Sequence, residues 1–289
     1  MAYLQLDEIR TVAVPSGPFV VPQRPDRVSI KLSLVIPTYN EAHNIQELVD
    51  ALRLVLTAKV GNAFELIVVD DDSPDGTWQT AGKIACTDPR VIVLRRTGER
   101  GLATAVVRGW QVAQGEVLGV IDGDLQHPPA VAGELWLEME RGADLAVASR
   151  RVEGGGVDER WKIWRRIASR GAQLIGIALL PGATRKVSDP MSGFFLVHRS
   201  VVECITLSPR GFKILLEVLG RTRPRQVAEV GYVFGPRQTG ASKATARVFW
   251  DYLLHLLRLR FASLAGATRP VAASPDGVRK AASIHKRKD

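Results

Sequence analysis

A chain of 289 residues, 46% apolar and 24% charged, has globular composition and room for one large α/β domain with appendages, which excludes a disordered or fibrous chain. Its formal net charge of +9 points to a polyanionic partner such as an anionic membrane, nucleic acid or a pyrophosphate. Cys86 and Cys204 are the only cysteines and lie outside any CxxC or Cys/His array, which argues against a disulfide framework or zinc site and for reduced thiols in a cytosolic protein.

The opening MAYLQLDEIR carries acidic residues where a secretory leader would be basic and then apolar. No window holds the roughly 18 apolar residues of a spanning helix. Leu174 to Leu180 is too short, and Val248 to Leu264 is interrupted by Asp251, His255, Arg258 and Arg260. The expectation is a soluble or peripheral protein.

Residues 1–29, with four prolines after residue 10, read as an N-terminal arm. Lys31 to Pro37 is a short branched apolar run, hence a strand. Asn44 to Thr57 follows with Ile45, Leu48, Val49, Leu52 and Leu56 at helical spacing. Strands are then expected at Phe64 to Val69, Val91 to Leu94, Val117 to Ile121 and Asp144 to Ala148. Helices are expected between them near Gly76 to Ala85, Gly101 to Ala113 and Pro128 to Glu140. This alternation predicts a mostly parallel, Rossmann-like sheet with helices on both faces, its ligands beyond the carboxyl ends of the strands. Farther on, Trp161 to Leu180 and Phe212 to Leu219 read as helical, Asp189 to Phe195 as a polar turn feeding a strand, and Gln226 to Phe234 as an edge strand. A catalytic domain over 30–243 would precede an amphipathic helix at 244–267 and a basic, disordered tail at 268–289.

Acidic clusters fall where such a sheet binds ligands. Asp122-Gly123-Asp124 follows an apolar strand, and two carboxylates flanking a glycine can converge on one hard cation. Alone, the same pattern is also a solvated turn. Asp70, Asp71 and Asp72 end another strand and would repel one another without donors or a cation; they can accept bonds from a nucleoside, while Asp72 and Asp75 can instead shape the next helix's turn. Pro37, Thr38, Tyr39, Asn40 and Glu41 follow the first strand, where Tyr39 can wall a pocket and Asn40 can cap. Arg165, Arg166 and Ser169 lie within about one helical turn, so Arg165 and Ser169 can grip one phosphate, or form a solvated basic face. Arg237 and Lys243 flank Gly240 in a second possible anion loop. No GK[ST] loop, GxGxxG or GxSxG is present, and the five histidines lack metal-ligand spacing.

With those residues in hand, the chain resembles the inverting family-2 glycosyltransferases of GT-A fold, and among them the dolichol- or polyprenol-phosphate mannose synthases as a group. The likeness covers roughly residues 31–260 through SLVIPTYNEAHNI, IVVDDDSPDGT, DGDLQHPP, ASRRVEGGGV, the WxxxRRxxS stretch, DPMSGFF, GFKILLE and GPRQTGASK. The resemblance implies a nucleotide-diphospho-sugar transferase in which Asp122, Asp124 and Gln126 hold Mg²⁺ or Mn²⁺. Pro37, Tyr39, Glu41, Asp70 and Asp72 would line the donor's nucleoside, and Arg237 and Lys243 would close over its diphosphate. Arg165, Arg166 and Ser169 would receive a lipid phosphate, with Asp189 facing the acceptor. The expected reaction is transfer of mannose from GDP-mannose to dolichyl or polyprenyl monophosphate with inversion, at the cytoplasmic face of a membrane and with a possible membrane subunit. Many relatives carry VDDNSPDGT and DADLQHPP, so Asp72 and Gly123 are departures. A UDP-sugar donor is the alternative within the fold. A nucleic-acid binder or membrane adaptor is the alternative outside it; the first is disfavoured because acidic clusters would repel a phosphate backbone, and no nucleic-acid partner is expected.

Overall fold

The computed structural model describes residues 10–24, 29–158, 171, 187–209, 211, 213–236, 254 and 256–261. At its centre, strands β2 (Leu32–Thr38) and β3 (Phe64–Asp70) are buried at every position. They are mostly apolar because helices cover both faces of the sheet, and among the buried exceptions Ser33 and Glu65 hydrogen-bond each other at 2.6 Å. Around them lie β4 (Val91–Arg95), β5 (Val117–Val120), β6 (Leu145–Ser149), β8 (Phe195–His198) and β10 (Val227–Gly231), in the order β10-β6-β8-β5-β2-β3-β4. All neighbours are parallel except β8, which runs antiparallel between β5 and β6.

That reversal positions the site. Phe195 begins β8 opposite Val120 of β5 and Val147 of β6, so the turn before it lies beside the loops leaving both strands. The acidic turn after β5, the basic loop after β6 and the SGFF turn therefore share one edge.

Helices α1 (Ile45–Val60), α2 (Thr77–Thr87) and α4 (Val131–Glu140) bury Leu48, Leu52, Ile84 and Trp136 on one sheet face. On the other, α3 (Leu102–Val112) and α6 (Ile214–Arg221) bury Val106, Trp110, Leu215 and Val218. A short α5 (Arg199–Val202) follows β8.

The segment before the sheet lies along the second face. Its β1 (Phe19–Val20) pairs antiparallel with β9 (Thr206–Leu207), and Val21 is fully buried. Arg199 reaches it through Nη1 to the Pro22 carbonyl at 3.0 Å. Near the site, β7 (Gly156–Val157) pairs with β11 (Val233–Phe234), carrying the chain back toward the edge.

Candidate active site

The turn after β5 brings Asp122, Asp124 and Gln126 together. Asp124 and Gln126 are buried, while the Asp122 side chain keeps 28% of its exposure. Asp124 Oδ1 accepts the Gln126 N–H at 3.2 Å. Gln126 Nε2 donates to the Gly235 carbonyl at 3.0 Å and the Gly235 N–H returns to the Gln126 carbonyl at 2.9 Å. With its amide nitrogen engaged there, the side-chain oxygen of Gln126 is the atom suited to a cation. Gly123 sits close against the PTYNE loop and not at left-handed backbone: a Cβ there would lie 3.1 Å from Thr38 Cγ2 and 3.3 Å from the Pro37 carbonyl, a tight fit that an alanine makes only if those neighbours give slightly. The residue at positive φ is Leu125, at 58°. The acidic turn thus packs directly on the PTYNE loop.

No group of three or more His, Cys, Asp or Glu capable of holding a metal occurs among the described residues. The available set is two carboxylates and one amide oxygen on one turn. That partial, all-oxygen set fits a hard divalent ion whose remaining ligands come from diphosphate and water.

The residues expected to line a nucleoside are largely committed to partners within the fold. Asp70 is fully buried, its carboxylate accepting Thr38 Oγ1 at 2.8 Å and both the N–H and hydroxyl of Ser73 at 2.8 and 2.6 Å. Burial raises its pKa, with Asp71 adding repulsion. Asp71 is clamped by Arg96 and by the Gly101 N–H at 2.7 Å, so it braces the start of α3. Asp72, at φ 55°, turns outward and pairs with Arg95 at 2.6 Å, whose guanidinium sits 4.1 Å from the Trp78 ring centre. Arg100 similarly lies 5.1 Å from the ring centre of Tyr39. Glu41 is buried and accepts Asn44 Nδ2 at 2.8 Å. Asn40 does not cap α1; it adopts φ 59° and donates its N–H to Ser73 Oγ at 3.0 Å.

The inner wall holds Asp189, fully buried and gripped by Arg150 through Nε at 2.6 Å and Nη2 at 2.8 Å. Burial alone would raise the Asp189 pKa; Arg150 outweighs it and holds the carboxyl below its usual range. Asp189 is consequently an ionised partner of Arg150. Glu229 accepts the Ser188 and Asp189 N–H groups at 2.8 and 3.3 Å and fixes the turn. Gly193 presses against the acidic turn, where a Cβ would lie 2.5 Å from Asp122 Oδ2.

Three residues enter the site without having been assigned a role from sequence: Arg150, His127 and Lys213. Lys213 Nζ donates to the Met191 carbonyl at 2.8 Å. Loss of solvation, with Arg150 nearby, lowers its pKa to about 8 despite Asp122 and Asp189. Arg150 and Lys213 stand in the quoted ASRR and GFK segments, but nothing local distinguishes them from surface bases. Arg165, Arg166, Ser169, Arg237 and Lys243 lie outside the described residues.

Comparison with known proteins places this geometry. Residues 33–206 match the sequence profile of Glycosyl transferase family 2. The chain is 44% identical over 230 residues to a dolichol-phosphate mannosyltransferase of Pyrococcus furiosus, covering 80% of this chain but only 64% of that longer protein. It is 35% identical over 240 residues to the Saccharomyces cerevisiae dolichol-phosphate mannosyltransferase, covering 80% and 88% of the two chains. Among solved structures, glucosyl-3-phosphoglycerate synthase from Mycobacterium tuberculosis, with Mn²⁺, UDP-glucose and phosphoglyceric acid, aligns with TM-score 0.59 at 19% identity over 82% of this chain and 80% of that one. The same enzyme with Mg²⁺ and UDP aligns at TM-score 0.57 and 19% identity, covering 89% and 86%.

These structures correct the expected reaction of GDP-mannose with a polyprenyl monophosphate. The same architecture there holds a different base, a different hexose and an acceptor without a lipid. The physical reason is that an acidic turn and its cation meet the diphosphate common to all such donors, so the motifs carry no reading of base, sugar or lipid. What the matched profile, the relatives and the fold establish together is coarser and firm: the chain belongs to glycosyltransferase family 2, with a GT-A fold, and is related to the dolichol- and polyprenol-phosphate sugar synthases.

Proposed function

We propose that this chain transfers a hexosyl group, glucosyl first among candidates, from a UDP-sugar to an acceptor bearing a phosphomonoester. The observation that carries this is the meeting, at one sheet edge, of the Asp122–Asp124 turn with the Arg150–Asp189 pair and Lys213. One side suits a cation on a diphosphate and the other suits an anionic acceptor. A Mg²⁺ or Mn²⁺ ion held by Asp122, Asp124 and the Gln126 oxygen would offset charge developing on the departing nucleotide.

The remaining chemistry belongs to the side chains. The bond from the anomeric carbon to the diphosphate breaks as a bond to an acceptor oxygen forms, and UDP leaves. A phosphomonoester carries close to two charges at neutral pH (second pKa about 6), so it needs positioning and compensation more than deprotonation. Arg150 and Lys213 supply compensation, and Arg165, Arg166 and Ser169 share it in the role their motif implies. Asp189 aligns Arg150 and keeps it from collapsing onto Asp122. Tyr39, Pro37 and the outward Asp72 flank the nucleoside, while Arg237 and Lys243 cover the diphosphate.

The phosphate can be borne by a polyprenyl lipid or a small metabolite, and peripheral attachment to a membrane belongs to the first case. Leu254, Leu257 and Phe261 are exposed beside the exposed Arg258 and Arg260, which supports that case. Turnover with UDP- and GDP-hexoses, each offered polyprenyl phosphate, phosphoglycerate and glycerol phosphate with Mn²⁺, tests the reading. Release of UDP with any phosphorylated acceptor supports it; turnover confined to a GDP-sugar, or to acceptors lacking phosphate, sinks it.

A further inference from the structure

We propose that His127 is a positioning residue whose Nε2–H supports the Asp122 carboxylate and sets the orientation in which that group meets a divalent cation. This rests on the metal-assisted reading above and extends it to a residue outside the ligand set. His127 Nε2 lies 3.4 Å from Asp122 Oδ2, and its side chain is 2% exposed. The ring sits among Phe194, Tyr232 and Phe234, with centroid separations of 5.7, 5.1 and 5.1 Å. Among the described residues its buried Nδ1 has no hydrogen-bond partner.

That combination is informative. A niche walled by three aromatic rings could be filled by Phe or Leu, neither of which brings a polar atom. Burying an imidazole with one nitrogen unsatisfied is unfavourable, so the residue is accounted for by what its other nitrogen does. A neutral imidazole has one N–H. Beside an ionised carboxylate oxygen the proton belongs on Nε2, since a lone pair there would face negative charge. Gly193 bears on the same oxygen from its own loop, its absent Cβ leaving room for Oδ2. Oδ2 is thereby confined between imidazole and backbone. The turn itself is held separately by the paired Gln126–Gly235 hydrogen bonds. Loss of the imidazole should therefore alter the ligand's orientation and leave the turn in place. Partners that orient metal ligands in this way change metal affinity by roughly 10–100-fold when removed.

The test measures Mn²⁺ binding directly, from the free-ion electron paramagnetic resonance signal, with and without UDP. It compares the wild type with Asp122→Asn, His127→Phe, His127→Gln and the Asp122→Asn/His127→Phe pair. Asp122→Asn and His127→Phe should each weaken Mn²⁺ binding about tenfold or more. His127→Gln, which keeps an N–H near the position of Nε2, should restore most of it. Adding His127→Phe to Asp122→Asn should cost nothing further, because the imidazole acts through that carboxylate. Wild-type Mn²⁺ affinity in a folded His127→Phe overturns the assignment while leaving the metal site standing. Unchanged affinity in Asp122→Asn overturns the metal site and the assignment with it. A readout that needs no Phe variant to fold is the tautomer in the wild type, from ¹⁵N resonances of the ring assigned by their absence in His127→Gln. The Nε2–H form is expected, and the Nδ1–H form overturns the proposal.

Discussion

At the scale of single residues, charge placement governs the site. Asp124→Asn keeps the volume of a buried side chain and the acceptor for the Gln126 N–H, but removes one negative ligand. Turnover at saturating donor is expected to fall more than about 100-fold, with thermal stability little changed. Near-normal turnover at high Mn²⁺ would remove Asp124 from the ligand set. Lys213 gives a prediction in pH. Its pKa of about 8 lies below the ordinary lysine value, first through lost solvation and then through Arg150. As pH rises through about 8 the ammonium neutralises, so kcat/KM for a phosphorylated acceptor should decline on that limb. Lys213→Arg should carry the decline to higher pH, and an unaltered profile in that variant would exclude Lys213 as the titrating group. Stability moves the other way. Between about 8 and an unfolded value near 10.4 the unfolded chain binds more protons, so folding is favoured as pH rises there. Opposite slopes for activity and stability are a signature that a surface lysine would not give.

At the scale of elements, hydrophobic patterning made much of the fold legible. β2 and β3 are apolar at nearly every position and are buried on both faces, and α1 buries the Ile45, Leu48, Val49, Leu52 and Leu56 stripe read from its spacing. The direction of β8 was not legible, because a four-residue apolar strand carries no mark of polarity along the sheet. Arg150 and Lys213 remained unassigned for the same reason: they meet the acidic turn only once β8 has reversed and α6 has brought Lys213 beside Met191. His127 stands in the acidic turn's own loop, and what its local sequence does not carry is the surround of Phe194, Tyr232 and Phe234. The DGD turn could be read because strand, glycine and both carboxylates are local. The role of Asp71 could not, since its partner Arg96 follows the adjacent strand β4, distant in sequence. Helix ends also carry stability. Asp88 closes α2, pairing with Arg90 at 2.8 Å and with Arg53 of α1 at 2.7 Å. The Arg90 bond, chiefly, lowers its pKa from 3.8 to about 2. A depressed carboxyl contributes stability that is fully present above its unfolded value near 4 and is lost as pH falls toward about 2, here on the order of 2 kcal/mol. Urea midpoints of wild type and Asp88→Asn should be well separated at pH 7 and converge as pH falls toward 3. A constant separation would mean that the contribution is not electrostatic.

At the scale of the whole molecule, the question is what a basic protein with a phosphate-directed site rests against. No helix among the described residues is long and apolar enough to cross a membrane. The segment at 256–261 is helical and divides its apolar residues between two directions. Leu256 and Leu259 are buried, and Leu259 packs so closely on α6 that a Cβ at Gly220 would lie 3.0 Å from its methyls. Leu254, Leu257 and Phe261 point away from the fold, with Arg258 and Arg260 beside them. Packing on the catalytic core and contact with a lipid surface are thus compatible in one helix. Burying an exposed Leu or Phe is worth roughly 1.5–3 kcal/mol, so three together would dominate partitioning onto vesicles, with the arginines adding attraction to anionic headgroups. Leu254→Ser/Leu257→Ser/Phe261→Ser removes the outward face and leaves Leu256 and Leu259 in place. Flotation with phosphatidylglycerol vesicles should fall about 100-fold or more, with an unchanged melting temperature. Transfer to a water-soluble phosphorylated acceptor should be preserved, and transfer to an acceptor embedded in vesicles should drop in parallel with flotation. Undiminished flotation of the folded triple variant would show that this face is not the anchor. A drop in transfer to the soluble acceptor would show that the helix supports the catalytic edge through α6.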